Sequence, residues 1–258
     1  MICTGNTDIG MVRSTNQDSH ILTKYSDKTC LCVVCDGMGG AKGGETASKL
    51  AAETFTGVIT EFIQPFLGQK EKGFSVNDVK KAMKRALMLA NEAVYDMSRN
   101  DPHLRGMGTT LVAALVIGNN VFCLNVGDSR MYFMKGSKIK QITKDHSYVQ
   151  HLLDIGKITK DDLEYQLNKN IITRAVGTEI TVDPDIYKSS VSDGTFILLC
   201  TDGLCNFVDD ETICDIVSNE FVSRGVDEIG LNIRARKLID TANNNGGGDN
   251  ITVALIKV

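Results

Sequence analysis

The sequence of 258 residues contains no tryptophan and only three prolines. It also has little surplus charge, because 28 Lys and Arg residues stand against 32 Asp and Glu, a formal net charge of -4. Binding to nucleic acid or to an anionic membrane through bulk charge needs excess Lys and Arg, so we expect neither partner, although a local basic patch stays open. The longest clean apolar run, Leu111 to Ile117, is far shorter than the ~20 residues that span a bilayer.

Apolar residues make up 42% of the chain and charged residues 23%, which predicts a substantial core rather than disorder. No linker rich in Pro, Gly or Ser divides the chain, so we expect one domain over residues 1–258 that acts as a monomer. The N-terminus, from Met1 to Asn6, lacks the basic start and apolar region of a secretory signal. We therefore expect a cytoplasmic protein whose eight cysteines stay reduced.

Short apolar runs bounded by Gly, Asn and Asp predict strands. They lie at Thr29–Cys35, Leu111–Ile117, Val121–Val126, Met131–Met134, Phe196–Cys200 and Ile251–Ile256. Apolar residues at three- and four-residue steps predict helices. They are centred on Ala47–Phe62, Val79–Met97, Ile213–Val217 and Leu231–Ala242.

Helices with one apolar face and mostly antiparallel strands need packed layers. We therefore expect an α+β fold in which sheets pack together and helices cover their outer faces. The charged segment from about Asp145 to Asn170 has weaker periodicity and lies between two groups of strands. We expect this segment to form a flap.

Acidic residues recur where the apolar runs stop. Asp36, Asp128 and Asp202 follow three predicted strands, and Asp249 precedes the last one. Each alone fits an ordinary turn, but four of them can converge at one edge of a sheet sandwich. Two carboxylates ~4 Å apart repel by about 4 kcal/mol at an effective dielectric constant near 20, so converging carboxylates call for cations.

Oxygen ligands favour hard ions such as Mg²⁺ or Mn²⁺. The backbone carbonyl of Gly37 could complete the ligand shell, because no side chain obstructs it. Two such ions suit hydrolysis of a phosphate ester, since they neutralise the substrate, activate water and stabilise the leaving oxygen. Arg13 is the candidate residue for gripping the phosphate oxygens.

Eight motifs, in this order, resemble those of the metal-dependent serine/threonine protein phosphatases, the type-2C (PPM) family, in its compact bacterial form. The resemblance runs from about Thr7 to Val258, nearly the whole chain. The motifs lie at Thr7–Asp18, Asp36–Gly40, Gly106–Thr110, Val126–Arg130, Thr143–Ser147, Ile172–Ala175, Cys200–Leu204 and Gly248–Val253. Any one of them would be weak, but eight in order are specific.

The resemblance implies a four-layer α-β-β-α sandwich with a dinuclear Mn or Mg centre at one end and a flap over about 145–170. It also implies hydrolysis of phosphoserine and phosphothreonine in proteins, with a Ser/Thr kinase as the cellular counterpart. Arg13 matches the family's phosphate-binding arginine. The implied ligands are Asp36 bridging both ions, the Gly37 carbonyl on the second ion, Asp202 and Asp249 on the first, Asp128 with Asp202 at a third, weaker position, and Asp18 through water.

Three positions depart from the family pattern. Gln17 stands where the family usually has Glu, so a charged contact is lost and metal retention is expected to be weaker. Met38 stands where eukaryotic members carry a histidine proposed as general acid, which leaves the general acid open. Asn206 stands where many members have Asp, so occupancy of the third metal position stays open.

Other interpretations are weaker. The glycine-rich stretch Asp36–Gly44 has the spacing of neither a dinucleotide-binding loop nor a phosphate-binding P-loop. Cys30 and Cys32 would share one face of a strand and Cys35 the other, so the three do not converge on zinc. Two functional alternatives stay open: a regulatory binding module of the same fold, and a hydrolase of small phosphate esters or nucleotides.

Overall fold

The computed structural model describes residues 1–67, 75–218 and 226–258. Its strands form two antiparallel sheets. The first sheet contains, in spatial order, β1 (Ile2–Asp8), β11 (Ile251–Lys257), β10 (Phe196–Cys200), β7 (Arg130–Lys135) and β8 (Lys138–Gln141). The second contains β2 (Asp18–Ser26), β3 (Thr29–Met38), β5 (Leu111–Ile117), β6 (Asn120–Val126) and β9 (Asp185–Ser190), and the short β4 (Gly108–Thr109) pairs with the end of β3.

Helices cover the outer face of each sheet. The second sheet is covered by α1 (Gly40–Ile63) and α2 (Val76–Asn100), and the first by α6 (Asp210–Ser218) and α7 (Glu228–Asn244). The remaining helices are α3 (Tyr148–Asp154), α4 (Leu163–Asn168) and α5 (Asp202–Cys205), with 3₁₀ turns at Gln64–Phe66 and Pro102–Leu104. The arrangement is the predicted four-layer α-β-β-α sandwich. None of the described helices combines the length and apolar character needed to cross a bilayer.

Three apolar layers hold the sandwich together, one between the sheets and one beneath each helix pair. Successive side chains of a strand point to opposite faces, and β3 divides its cysteines accordingly. Cys30 and Cys32 lie in the layer between the sheets, whereas Cys35 lies beneath α1 and α2. The predicted separation of these thiols is therefore confirmed.

Local sequence signals set the ends of several elements. Ser75 caps α2 by accepting a hydrogen bond from the Asp78 amide, as the Ser and Asp spacing predicts. The first helix ends at Ile63, directly before Gln64 and Pro65, because proline disfavours a helical residue before it. All six predicted strands and all four predicted helices are present, most of them longer than the apolar runs that indicated them.

Besides the two-residue β4, four strands carry no clear signal in the sequence. They are β1, β2, β8 and β9, and each is mostly half-buried or exposed along its length. These strands lie at the edges of their sheets, where polar side chains are tolerated. Their Thr, Ser, Asn and Lys residues therefore gave no continuous apolar run.

The hairpin of β2 and β3 fixes two acidic residues opposite each other. Its register pairs Asp18 with Asp36 at one end and Ser26 with Thr29 at the turn, with an irregularity between Lys24 and Ser26. Both carboxylates therefore lie at the end of the hairpin that is remote from the turn.

Between β8 and β9 the chain forms a small lobe over residues 147–172. Its base is closed by an isolated β-bridge between Ser147 and Ile172. A separate apolar cluster of Val149, Leu152 and Ile158 packs inside it. This lobe corresponds closely to the flap expected over 145–170.

Two neighbouring residues of α2, one buried and one exposed, allow a test of how this helix packs in its layer. Leu87 is 1% exposed and Met88 69% exposed. We predict that Leu87→Ala lowers the free energy of unfolding by about 2–5 kcal/mol, because it removes packed atoms and leaves a cavity. Met88→Ala, the matched control, should change it by no more than about 0.5 kcal/mol. Urea denaturation of the chelator-treated protein measures both, and equal losses would contradict this packing.

Candidate metal centre

An open cavity of about 510 Å³ lies at the end of the sandwich where the acidic strand ends meet. Its lining includes four of the five predicted acidic ligands, together with the glycine and the arginine predicted to accompany them. Among the residues that line this cavity are Arg13, Gln17, Asp36, Gly37, Met38, Asp128, Asn170, Ile172, Asp202, Asp249 and Asn250.

Strand ends from both sheets bring the carboxylates together. Asp36 lies near the end of β3, Asp128 follows β6, Asp202 begins α5 directly after β10, and Asp249 precedes β11. The β3 strand of one sheet faces β10 and β11 of the other. The sequence interpretation of convergence at a sheet edge is thus what the structure shows for these four side chains.

Glycines permit the close backbone approaches that the site needs. A Cβ atom on Gly203 would lie 1.9 Å from the Asn250 carbonyl oxygen, and one on Gly37 would lie 2.0 Å from the Gly44 carbonyl oxygen. Real Cβ atoms do not tolerate such distances from backbone atoms. Gly203 thereby lets the Asp202 turn pack against the loop that carries Asp249.

Asp18 lies behind the cavity rather than in its lining. Its Oδ2 accepts a hydrogen bond of 2.9 Å from the Thr201 hydroxyl, while its Oδ1 is buried with no hydrogen-bond partner. Burial raises the pKa of Asp18 to about 7, although hydrogen bonds from Thr252 and Thr201 oppose the rise. The chain thus holds one buried carboxylate oxygen ready for a further partner.

Asp36 and Asp202 are both deeply buried and lie among other carboxylates. Burial raises the pKa of Asp36 well above its ordinary range, and Asp18 and Asp202 add to the rise. Burial, with repulsion from Asp249, raises the pKa of Asp202 to about 6. Oδ1 of Asp202 is buried with no hydrogen-bond partner.

Asp128 occupies the turn after β6 and is 7% exposed. Burial, together with repulsion from Asp202 and Asp145, raises the pKa of its carboxyl to about 8. Asn206, four residues after Asp202, donates a hydrogen bond of 2.9 Å to Asp202 Oδ2. An amide therefore stands beside Asp202 where a further carboxylate would have added negative charge.

Arg13 reaches the cavity and binds an acidic residue there. Its Nη2 lies 2.8 Å from Asp249 Oδ2, and the Arg13 side chain remains 53% exposed. The hydrogen bond to Asp249 raises the pKa of Arg13. The cation predicted to grip phosphate is thus positioned inside the acidic cluster with half of its surface open to solvent.

The other two departures from the family pattern also lie here. The side-chain Nε2 of Gln17 donates a hydrogen bond of 2.6 Å to the Gly40 carbonyl, so this side chain holds the start of α1. Met38 lines the cavity but cannot donate a proton, because its thioether sulfur carries no hydrogen.

Oxygen ligands for a hard cation are present in the lining. The donors are carboxylate and backbone oxygens, the class that Mg²⁺ and Mn²⁺ prefer, and two buried oxygens, on Asp18 and Asp202, have no partner. Within residues 1–67, 75–218 and 226–258, however, no three acidic, His or Cys side chains form a ready-made cage for an ion. Arg13 and Asn206 instead engage oxygens of Asp249 and Asp202. The residues fit such ions in chemistry, and closing the shell requires side-chain rearrangement.

Sequence reasoning missed several residues that build the site. The Asn250 side chain accepts a hydrogen bond from the Gln17 backbone amide and donates to the carbonyls of Ile9 and Thr15. It thereby connects the loop that carries Arg13 with the loop that carries Asp249. Its place after Asp249 in the last motif was the only available signal.

The base of the 147–172 lobe also contributes directly to the cavity. Asn170 and Ile172 line it. Ile172 begins the motif Ile172–Ala175, but the sequence predicted no place in the site for either residue, because their position depends on the bridge that closes the lobe.

The cysteines are poorly placed for nucleophilic catalysis. Cys200 is fully buried in β10. Its contact with Cys205, together with burial, raises the pKa of Cys200 well above that of a free thiol. A reactive cysteine needs an accessible thiolate, so this thiol stays a core side chain.

Known proteins resemble the chain over almost its full length. The family described as protein phosphatase 2C matches residues 5–251. A serine/threonine phosphatase stp of Listeria welshimeri is 33% identical over 251 residues, which cover 97% of this chain and 93% of that protein.

Solved structures agree with that match. The crystal structure of the serine/threonine phosphatase Stp1 from Staphylococcus aureus superposes with a TM-score of 0.84 at 31% identity, covering 100% of this chain and 95% of that one. The catalytic domain of the serine/threonine protein phosphatase PstP, in complex with 2 manganese ions, gives a TM-score of 0.76 at 32% identity, covering 98% and 96%.

The raised carboxyl pKa values predict how pH affects the metal-free protein. Asp18, Asp128 and Asp202, with pKa values of about 7, 8 and 6 in the folded chain, keep protons that the unfolded chain has lost above about pH 4. Folding therefore binds protons, and the free energy of unfolding should fall as pH rises from about 5 to 8.

Chemical denaturation across this pH range, in chelator, measures the slope. Asp128→Asn should make it shallower, whereas Asp27→Asn, at a side chain 95% exposed, should not. Stabilisation by added Mn²⁺ should increase over the same range, because protons compete with the cation for the carboxylates. A stability that rises with pH in the metal-free protein would contradict this assignment.

Proposed function

The chain belongs to the protein phosphatase 2C family and is a protein-serine/threonine phosphatase, and we propose that it hydrolyses phosphoserine and phosphothreonine with water activated at a dinuclear Mg or Mn centre. The observation that carries the proposal is the single cavity at which Asp36, Asp128, Asp202 and Asp249 meet with Arg13. The manganese-bound PstP domain, similar over 98% of this chain, supports two ions of this kind here.

We infer the ligands from the geometry and from the family. The four other carboxyls, Asp18, Asp128, Asp202 and Asp249, all raise the pKa of Asp36. From the family, Asp36 would bridge two cations, with the Gly37 carbonyl on one and Asp202 and Asp249 on the other. When bound, such cations neutralise the phosphate ester, lower the pKa of water and stabilise the leaving oxygen. Asp18, with its buried partnerless Oδ1, would act on this centre through water.

Arg13 is the proposed phosphate-binding residue. Its guanidinium is held at the cavity by Asp249 and is half exposed, so an incoming phosphate can reach its free N–H groups. A planar guanidinium suits two phosphate oxygens at once. Arg13 would therefore orient the phosphoryl group relative to the acidic cluster and offset its charge.

A direct attack by water is favoured over a covalent phosphoenzyme. Cys200 is buried with a raised pKa, and Cys205 does not line the cavity as described. The identity of the general acid is open, since Met38 occupies the position where a histidine stands in some relatives.

Asp128 with Asp202 matches the family's third, weaker metal position. Asn206 binds Asp202 there and brings no charge. The role of a Ser/Thr kinase as cellular counterpart is inferred from the family alone. A monomeric, cytoplasmic protein of one domain, without a nucleic-acid or membrane partner, remains a prediction.

A metal titration of phosphopeptide hydrolysis tests the proposed function, with chelator as control. Turnover should appear with Mn²⁺ or Mg²⁺ and be lost in chelator. A regulatory module of the same fold would bind the cation without turnover, and a hydrolase of small esters would cleave nucleotides in preference to phosphopeptides. The first result would overturn the proposed catalysis, and the second would overturn the proposed substrate class.

Substitution of the bridging residue separates metal from thiol chemistry. Asp36→Asn keeps the shape of the side chain but removes its charge, so kcat/KM on a phosphopeptide should fall by more than about 100-fold, beyond the loss that outer partners of a metal cause. Cys200→Ala, the control, should retain most activity. A cysteine variant as inactive as Asp36→Asn would refute hydrolysis without a protein nucleophile.

The proposed role of Arg13 predicts a smaller loss of kcat/KM than the loss expected for Asp36→Asn. Arg13→Ala should lower kcat/KM on a phosphopeptide by about 10- to 100-fold, the scale of a charge-assisted hydrogen bond of about 1.5–3 kcal/mol. The solvent-exposed Arg236 on α7 provides the matched control, since Arg236→Ala should leave the kinetics unchanged. Unaltered KM and kcat in the Arg13 variant would exclude it from phosphate binding.

A further inference from the structure

The turn that carries Asp128 is held on both sides, and the Asn125 side-chain amide also donates to the Gly127 carbonyl at 3.2 Å. On one side, Ser129 shares a hydrogen bond of 2.7 Å with the Thr110 hydroxyl, which also accepts from the Asp36 amide at 2.9 Å. On the other side, Gly127, with a φ of 104°, contacts His146. The placement of Asp128 relative to Asp36 therefore depends on both attachments.

His146 forms hydrogen bonds with both backbone polar groups of Gly127, the carbonyl and the amide. Its backbone amide donates to the Gly127 carbonyl at 2.9 Å, and its imidazole Nδ1 accepts from the Gly127 amide at 3.2 Å. The side chain is 6% exposed, so water does not readily replace it. The Gly127 amide consequently depends on this one ring nitrogen.

The Nδ1 contact fixes the tautomer of the ring. Because Nδ1 accepts, the proton of the neutral imidazole lies on Nε2, which is 3.4 Å from Asp185 Oδ2. Arg174 Nη1 lies 3.2 Å from the same Nε2, but both nitrogens carry hydrogen in this tautomer, so that contact is not a hydrogen bond. The Arg174 guanidinium contacts the same carboxylate through its other oxygen at 3.3 Å. Asp185, at the start of β9, thus anchors the far side of the ring.

His146 also adjoins the base of the 147–172 lobe. Its carbonyl accepts from the Thr173 amide at 2.7 Å, and the next residue, Ser147, forms the bridge to Ile172. Ile172 lines the cavity. One residue therefore contacts both ends of the lobe and the turn of Asp128.

We propose that His146 is a positioning residue whose imidazole couples the 147–172 lobe to Asp128 and so sets the affinity of the cavity for a cation at Asp128. The inference rests on the proposed function, in which Asp128 is a ligand. Nothing in it requires His146 to touch substrate or cation. Movement of the lobe base would be transmitted to Asp128 through the bond between Nδ1 and the Gly127 amide.

Two conservative variants separate the two sides of the ring. Asn at this position can place its amide oxygen near the site of Nδ1, whereas Gln can place its NH₂ group near the site of Nε2. His146→Asn should therefore keep the bond to Gly127 and lose the one to Asp185, and His146→Gln should do the opposite. His103→Gln, at an exposed histidine, is the control.

Hydrogen exchange of the chelator-treated proteins reads the Gly127 amide without activity. In His146→Gln its exchange should accelerate by roughly five- to tenfold, the factor expected for one net hydrogen bond, and in His146→Asn by less than about twofold. Calorimetric Mn²⁺ titration should show a loss of affinity of similar size at the weakest site in His146→Gln alone, and excess Mn²⁺ should restore kcat. Equal behaviour of the two variants would overturn the proposal.

Asp128→Ala tests the premise separately. If it leaves Mn²⁺ binding unchanged, the ligand role of Asp128 fails, whatever the exchange of Gly127 shows. Should both His146 variants unfold, the imidazole ¹⁵N resonances of the unaltered protein decide the matter. The proposal requires an unprotonated Nδ1 and a protonated Nε2, and the opposite tautomer would refute it.

Discussion

Repulsion among buried carboxylates is the constraint on which the rest of this structure depends. Asp18, Asp36, Asp128 and Asp202 all have pKa values raised mainly by burial and further by one another. Such a cluster costs folding free energy unless protons or cations compensate its charge. The sandwich is large enough to bear that cost, because three continuous apolar layers surround the strands from which these side chains project.

Neutral polar groups order the cluster without neutralising it. Thr201 donates to Asp18, Asn206 donates to Asp202, and Asn250 ties the Arg13 loop to the Asp249 loop. Arg13 is the cation that contacts the cluster by a direct hydrogen bond in the described structure. The site is thus well fixed in its backbone and deficient in positive charge, which is the condition expected of a surface that takes up hard divalent ions and a phosphate ester.

Much of this architecture could be predicted from the sequence, and the reasons for the gaps are physical. Strands buried along most of their length, such as β6 and β10, read as continuous apolar runs, and the acidic residues shortly after them, Asp128 and Asp202, marked the site. The edge strands β1 and β9 were missed because their half-exposed residues alternate too weakly. The pairing of Arg13 with Asp249, 236 positions away, and the contact of His146 with Gly127 depend on tertiary packing, which no local pattern encodes.

The β2–β3 hairpin has a consequence for how this fold can change. The pair beside its tight turn, Ser26 with Thr29, lies seven pairs from Asp18 and Asp36, roughly 24 Å along the strands. A single residue inserted there could shift the register by one position and send one of the two carboxylates to the opposite face of the sheet. The length of this turn therefore decides whether Asp18 and Asp36 lie on the same face of the sheet. Natural variation in its length should be tolerated only when a bulge, such as the irregularity between Lys24 and Ser26, absorbs the extra residue.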